Sequence, residues 1–336
     1  MFKSMAILLG VCVLACGLVP AAFAQNDEIH LTSRQAKVPH ADATDDATGI
    51  SDPALRTHTK PVRKDVDLVL VPVTVTDPMT RLVAGLEKDS FVLLENGQPQ
   101  QIRSFSTEDA PISLGVIFDV SGSMVDKIDQ ARQAVVEFFR SANPEDEFFL
   151  VTFSDQPQVL VNFTSSVDDI QKRLPYAVPH GATSLLDAIY LGVSCMRAAH
   201  NDRKALLIIS DGGDNHSRYT EDEIADMVRE ADVQIFAMGL FDRQAKTPEE
   251  RHGPELLGAI TGATGGQAFL IHSPCELAPV ATQIGFELRN EYLLGYRPTN
   301  PAHDGKWRKI KVKVKPPTGS PPLRVYARSG YYAAAE

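Results

Sequence analysis

The sequence is poor in cysteine, tryptophan and long apolar segments. Its 336 residues include four cysteines and one tryptophan, and so few cysteines do not make a disulfide scaffold. The apolar run over residues 5–19 is shorter than the roughly 20 residues of a membrane-spanning helix. With 43% hydrophobic and 23% charged residues, the composition is that of a globular protein and argues against a multi-span membrane protein. Cationic charge is scarce too, because 33 Lys and Arg stand against 43 Asp and Glu, for a net charge of −10. The chain therefore has no broad basic surface to neutralise the phosphates of a nucleic acid.

Common catalytic signatures are also missing. The sequence has no Gly-x-x-x-x-Gly-Lys-Ser/Thr loop for a nucleotide and no His-Glu-x-x-His motif for zinc. It has no Gly-x-Ser-x-Gly nucleophile elbow, and Asp119-x-Ser121 lacks the second aspartate of a phosphatase-type pair. We therefore expect a protein that is not an enzyme. A Ser/His/Asp triad assembled by folding stays open, because triads are defined by geometry and not by sequence order.

The first 24 residues have the pattern of a secretory signal peptide. Lys3 precedes an apolar run from Met5 to Val19, and Ala22-Phe23-Ala24 provides a small-x-small cleavage site. An uncleaved anchor is the alternative, and Val13-Leu14-Ala15-Cys16 loosely resembles the lipobox of a lipoprotein. We expect a secreted or periplasmic protein of the cell envelope, with no stable membrane span after cleavage.

The next two segments are predicted to be a linker and a β segment. Residues 25–64 have no apolar period and few large apolar side chains, so they cannot offset the entropy of ordering. In the β segment, 65–110, alternate valines from Val69 to Val75 indicate one strand, and Pro72 within it favours an edge position. Asn96-Gly97 between two strand-like runs predicts a hairpin, because a type I′ turn needs two positive φ angles.

Residues 111–289 alternate short apolar runs with helical patterns. Apolar residues at helical spacing predict helices over 128–139 and 185–196, and Thr220 opens another with a capping box. Nearly all-apolar strands between helices indicate an α/β unit with a doubly wound, mostly parallel sheet, covered on both faces. One antiparallel edge strand is expected at Gln158–Phe163. The other predicted strands are Leu114–Phe118, Phe148–Phe153, Leu206–Ile209, Ile235–Gly239 and Gln267–Ile271.

Residues 290–332 return to a β pattern. Apolar residues from Ile310 to Val314 alternate with lysines, which we interpret as the solvated face of a half-buried strand and not as a basic docking strip. Neither flanking β segment can stand alone with one apolar face, so we expect the N- and C-terminal segments to pack together as an all-β module. Cys195 and Cys275 either pair or stay free.

Three polar loops that follow or precede these elements carry a candidate metal site. Asp119, Ser121 and Ser123 follow one parallel strand, Asp211 follows another, and Thr183 precedes a long helix. The carboxyl ends of parallel strands meet at one edge of a sheet, so the loops can converge there. Hydroxyl and carboxylate oxygens without nearby Cys or His suit Mg²⁺ and not zinc.

Each of these residues also has a simpler interpretation. Asp, Ser and Thr at strand ends often only cap the following helix, but capping does not demand this combination. Asp214 is either a second-shell or rim residue of the site or a turn residue, and His180 and His216 either face a ligand or are solvated loop residues.

The three motifs, in this order and on this β/α pattern, resemble the metal-ion-dependent adhesion site of the von Willebrand factor A domain. The flanks resemble secreted bacterial proteins related to that domain, so the likeness covers about residues 65–332. The flanking residues that carry it are Gly85-Leu86-x-Lys88-Asp89-x-Phe91, Glu95-Asn96-Gly97, Tyr292-Leu293-Leu294-Gly295-Tyr296-x-Pro298, Trp307-Arg308-x-Ile310 and Ala327-Arg328-x-Gly330-Tyr331-Tyr332.

The resemblance implies a binding domain dependent on Mg²⁺ or Mn²⁺. Ser121, Ser123 and Thr183 would be direct or near-direct ligands, and Asp119 and Asp211 would accept hydrogen bonds from metal-bound waters or ligate occasionally. The expected partner is a protein that presents an Asp or Glu carboxylate to the metal. Two alternatives are a structural protein of the cell envelope whose β flanks carry the interaction, and a metal-assisted hydrolase.

Overall fold

The computed structural model describes residues 68–211, 213–241, 247–316, 319 and 321–334. The predicted signal peptide (1–24) and linker (25–64) lie outside the described residues. Within the described ranges, no helix is long and apolar enough to cross a membrane.

The described residues form fourteen strands and six α-helices. The strands are β1 (Val69–Thr76), β2 (Phe91–Glu95), β3 (Gln98–Gln100), β4 (Ile102–Ser106), β5 (Ile112–Asp119), β6 (Glu147–Phe153), β7 (Pro157–Thr164), β8 (Arg203–Ser210), β9 (Gln234–Leu240), β10 (Ala268–Ile271), β11 (Tyr292–Tyr296), β12 (Trp307–Val314), β13 (Arg324–Ala327) and β14 (Gly330–Tyr332). The helices are α1 (Ile128–Phe139), α2 (Val167–Arg173), α3 (Leu185–Cys195), α4 (Glu221–Glu230), α5 (Pro248–Thr264) and α6 (Leu277–Arg289).

A six-stranded sheet in the order β10-β9-β8-β5-β6-β7 forms the centre of the α/β unit. All neighbours are parallel except β6 and β7, which are antiparallel, so the predicted sheet and its antiparallel edge are confirmed. Helices α1, α2 and α6 bury one face of the sheet, and α3, α4 and α5 bury the other. Burial on both faces explains why the strands are continuously apolar.

The predicted β module is confirmed as two four-stranded sheets, β13-β1-β11-β4 and β14-β12-β2-β3. Strand β1 pairs with β11 and β13, and β2 pairs with β12, so each sheet combines N- and C-terminal strands. The two sheets share one apolar core. Asn96 and Gly97 have φ angles of 48° and 84°, as the predicted type I′ hairpin between β2 and β3 requires.

The expectation that Pro72 marks an edge strand is wrong for β1 as a whole, because β1 lies between β11 and β13. Proline is tolerated because β13 pairs only with Val73 to Thr76. At Pro72 the strand has β11 on one side, so the missing N–H breaks no ladder bond toward β13.

The lysines of β12 are exposed while Ile310 is buried, which confirms the solvated-face interpretation. Strand β12 is an inner strand between β14 and β2. Cys195 is partly buried, Cys275 is exposed, and both are free thiols.

Two buried glutamates join the segments. Glu95 on β2 accepts hydrogen bonds from the hydroxyls of Tyr296 (2.7 Å) and Tyr331 (3.1 Å). Glu291, just before β11, pairs with Arg203 of β8 at 3.0 Å and accepts a 2.7 Å hydrogen bond from Gln234 of β9. The C-terminal segment is therefore bonded to both the N-terminal strands and the α/β unit.

Glu287 on α6 gives a pH-dependent prediction. It is 1% exposed and accepts hydrogen bonds from the side chains of Gln283 (2.8 Å) and Gln267 (3.2 Å). Burial, with a smaller effect from the charge of Glu291, raises its pKa from 4.5 to about 7. A folded pKa above the unfolded one means that ionisation opposes folding, so stability from this group is lost as pH rises from 4.5 to about 7.

We expect Glu287→Gln to leave stability near pH 5 almost unchanged and to raise it near pH 8 by on the order of 2 kcal/mol. Urea unfolding at the two pH values measures this difference. Glu230→Gln, at an exposed position at the end of α4, is the control and should show no such pH dependence. An equal change for Glu287→Gln at both pH values contradicts the prediction.

Candidate metal-binding site

Strands β5 and β8 are parallel neighbours, and Asp119, the first acidic residue of the candidate site, lies where their carboxyl ends meet. Asp119 is the last residue of β5 and is 0% exposed, so its expected position on a loop is corrected to a buried strand end. One carboxylate oxygen accepts the backbone N–H of Ser121 at 2.8 Å, and the other accepts the hydroxyl of Ser210 at 2.6 Å. Both oxygens are therefore held in place by the chain itself.

The two serines of the first motif lie directly after β5. Ser121 is buried, Ser123 is exposed, and their hydroxyl oxygens are 3.0 Å apart. A 3₁₀ turn over Gly122–Met124 follows Ser121. The turn brings the two hydroxyls of the Asp-x-Ser-x-Ser sequence side by side.

The loop that carries Thr183 is fastened to the serine loop. The backbone N–H of Gly122 donates to the carbonyl of Gly181 (3.1 Å), and that of His180 donates to Val120 (2.8 Å). Gly181 has a φ of 70°, and a Cβ there would lie 2.4 Å from the Asp155 carboxylate, so only glycine fits. Because Gly181 lies two residues before Thr183, its bond to Gly122 holds the Thr183 loop next to the serine loop.

Backbone contacts also connect Thr183 with the third loop. Its N–H donates to the side-chain oxygen of Asn215 at 3.0 Å. Its carbonyl accepts the N–H groups of Asn215 and His216 at 3.0 and 3.1 Å. Through these contacts the loops after β5 and β8 and the loop before α3 converge on one face.

Asp211 follows β8 and is 7% exposed. The ammonium of Lys127 lies 3.3 Å from its carboxylate. Burial and, to a smaller extent, the negative charge of Asp211 together raise the pKa of Asp119 to about 7. Two carboxylates thus lie close enough to interact in a poorly solvated region, with one ammonium in contact with one of them.

The three rim candidates differ in their surroundings. Asp214 accepts the backbone N–H groups of Leu186 (2.8 Å) and Ser217 (3.2 Å), which places it at the start of α3 as a capping residue. His180 is exposed, with its two ring nitrogens 3.0 Å from the Ser154 hydroxyl and 2.9 Å from the Val178 carbonyl. His216 is exposed and lies in the loop after β8, where its backbone N–H donates to the carbonyl of Thr183 at 3.1 Å.

Sequence reasoning missed three residues of this face. Lys127 pairs with Asp211, Ser210 donates to Asp119, and Asp155 accepts the N–H of Ala182 at 2.7 Å. Ser210 and Asp155 were detectable, because each lies at or just after the carboxyl end of a predicted strand. Lys127 had no such signal, since it lies just before α1 and its ion pair joins residues 84 positions apart in the chain.

The donor set fits a hard divalent cation by its chemistry. The five predicted residues supply hydroxyl and carboxylate oxygens, and the two buried carboxylates bring more negative charge than the single ammonium balances. Among the described residues no group of three or more His, Cys, Asp or Glu side chains is placed to hold a metal ion. Three of the five predicted donors are neutral hydroxyls and none is a Cys or His side chain, which suits Mg²⁺ or Mn²⁺ better than zinc.

Comparison with known proteins identifies the α/β unit. Residues 114–213 match the family model described as the von Willebrand factor type A domain. The chain therefore contains a von Willebrand factor type A domain, flanked by a β module from both ends of the described chain. Such domains commonly mediate protein–protein interactions and are typically not enzymes.

The matched relatives are much longer than this chain. Inter alpha-trypsin inhibitor heavy chain 4 of Mus musculus is 29% identical over 42% of this chain and 17% of its own length. The inter-alpha-trypsin inhibitor heavy chain H4 of Sus scrofa is 26% identical over 39% and 16%. The chain thus spans less than a fifth of either relative.

Solved structures with a similar fold share little sequence with this chain. A von Willebrand factor type A protein from Catenulispora acidiphila has a TM-score of 0.48 and 12% identity, covering 80% of this chain and 75% of that one. The PilB minor pilin from Streptococcus sanguinis has a TM-score of 0.46 and 14% identity, covering 57% and 64%.

Proposed function

We propose that the protein is a secreted or periplasmic binding module that captures an acidic side chain of a partner protein in a metal-dependent way. Asp119, Ser121, Ser123, Thr183 and Asp211 would hold Mg²⁺ or Mn²⁺ at the carboxyl edge of the central sheet. The observation that carries the proposal is that the three loops bearing these oxygen donors are hydrogen-bonded to one another.

The neutral and the charged residues of the site would have different roles. Ser121, Ser123 and Thr183 offer neutral oxygens. Both oxygens of Asp119 are already engaged by Ser121 and Ser210, so we assign Asp119 to orienting the serine loop and to accepting hydrogen bonds from water at the site. When bound, the cation supplies positive charge that the neutral hydroxyls leave uncompensated and that a partner's carboxylate can neutralise.

Electrostatics explains why the cation would be required. The protein carries a net charge of −10, and its site presents two carboxylates. An acidic partner is repelled by such a surface unless a cation lies between them. The partner's contribution is therefore an Asp or Glu side chain, and a basic or neutral side chain would not replace it.

The test is a capture experiment with a matched inactive bait. Immobilised wild-type protein and Asp119→Ala are exposed to cell-envelope extract in the presence of Mg²⁺. We expect a partner that wild type retains, EDTA releases and the variant does not retain. Changing the partner's key Asp or Glu to Asn or Gln should then weaken binding by roughly 100-fold, because a charge-assisted contact at the site is lost.

Binding that survives EDTA and the amide substitution contradicts the proposal. In that case the β flanks become the interacting surface, and the protein acts as a structural component of the envelope. Substrate turnover that disappears in Asp119→Ala would instead support a metal-assisted hydrolase.

A further inference from the structure

The ion pair between Lys127 and Asp211 lies inside the proposed metal site. The lysine ammonium is 3.3 Å from the Asp211 carboxylate, and the two side chains are 19% and 9% exposed. The lysine backbone is fixed on both sides, because its N–H donates to Met124 (2.9 Å) and its carbonyl accepts from Ala131 (3.0 Å). The turn immediately before α1 therefore positions the Lys127 ammonium at the site.

This ammonium and a divalent cation would compete for the same carboxylate. Lysine carries one positive charge, which partly neutralises the two carboxylates of the site. A divalent cation that approaches Asp211 meets repulsion from the ammonium, or requires the lysine to move away. Because the pair is largely shielded from solvent, its charges interact more strongly than an exposed pair would.

We propose that Lys127 is an internal counter-ion that competes with the divalent cation for Asp211 and thereby sets the metal affinity of the site. The proposal rests on the proposed function, since it presumes that the site binds a divalent cation. Its consequence is that, at low divalent-ion concentration, the ammonium partly neutralises the site and occupies Asp211 in place of the metal. The metal-dependent state then forms only when the concentration is high enough to displace it.

The experiment compares Lys127→Met and Lys127→Arg with wild type. Lys127→Met removes the charge and keeps an apolar stem, while Lys127→Arg keeps the charge. Lys172→Met, at an exposed position in the last turn of α2, is the matched control. Calorimetry with MnCl₂ gives the dissociation constants, and thermal unfolding with EDTA or Mn²⁺ gives the stability of the metal-free and metal-loaded forms.

We expect Lys127→Met to bind Mn²⁺ roughly tenfold more tightly than wild type, with a larger difference at low salt. Lys127→Arg should stay within about threefold of wild type, and Lys172→Met should match it. Lys127→Met should unfold at a lower temperature than wild type in EDTA, because its two carboxylates lose their counter-ion. Mn²⁺ should raise its melting temperature by more than it raises that of wild type.

Two results overturn the inference but not the proposed function. One is wild type that binds Mn²⁺ while Lys127→Met binds it equally or more weakly. The other is an equal loss of melting temperature for Lys127→Met in EDTA and in Mn²⁺, which would mark a purely structural lysine. If neither wild type nor Lys127→Met binds Mn²⁺, the metal site itself fails, and the proposed function fails with it.

Discussion

Replacing Asp119 with alanine is expected to weaken Mg²⁺ or Mn²⁺ binding by roughly 10- to 100-fold, the loss expected when an orienting group at a metal site is removed. The carboxylate accepts the N–H of Ser121 and the hydroxyl of Ser210, so its loss releases the serine loop as well as a charge. Calorimetric titration of wild type and variant measures the change.

The burial of Asp119 makes a folding control necessary. Its removal takes away the carboxylate that the N–H of Ser121 and the hydroxyl of Ser210 donate to, and a buried N–H left unsatisfied costs about 1–3 kcal/mol. Thermal unfolding in EDTA must therefore show that the variant is folded at the temperature of the titration. Asp222→Ala, at an exposed position in the first turn of α4, should bind metal like wild type. Undiminished binding by folded Asp119→Ala would refute the site assignment.

Deleting residues 290–336 is expected to unfold the N-terminal β segment. The deletion removes β11 and β13 from both sides of β1, and β12 from β2. It also removes the hydroxyls of Tyr296 and Tyr331, which leaves the buried carboxylate of Glu95 without these two donors. What remains of each sheet is too small to be stable by itself.

Hydrogen exchange measures this effect directly. Amides of β1 and β2 should lose protection by roughly 100-fold or more, since they would exchange from an unfolded segment. Tyr296→Phe is the graded control: it removes one hydrogen bond and should reduce global stability by about 1 kcal/mol while both strands stay protected. Unchanged exchange over residues 68–106 in the deletion variant would mean that the two β segments are independent.

The central sheet illustrates how much of the fold local sequence predicts. Apolar runs bounded by polar loops located β5, β6, β8 and β9 to within a few residues, because strands buried on both faces must be apolar throughout. Asn96-Gly97 predicted its turn for an equally local reason, since few other residue pairs tolerate two positive φ angles. Helix α5 had no such pattern recognised, although the structure shows a capping box between Thr247 and Glu250.

The local sequence pattern did not predict which strands pair with each other in the β module. Alternation in β1 marked its buried face, but it did not say that β1 lies between β11 and β13. Strand pairing depends on residues more than 200 positions apart, such as Val71 and Leu294, and the pattern of one strand does not specify its neighbour. Pro72 suggested an edge strand for the same reason: the local sequence does not show that β13 pairs with β1 only beyond the proline.

The sequence by itself determined the α/β class of the central unit and the residue types of its candidate site, because both follow from periodicity and from side-chain chemistry close to predicted strand ends. Only the tertiary structure decided that Asp119 is buried, that Ser210 holds it, and that Lys127 reaches Asp211. These contacts join positions up to 91 residues apart. The charges of Asp119, Asp211 and Lys127 interact because parallel strands bring distant loops to one poorly solvated edge of the sheet. Burial and electrostatics are properties of that assembled edge, so no single segment of the chain contains them.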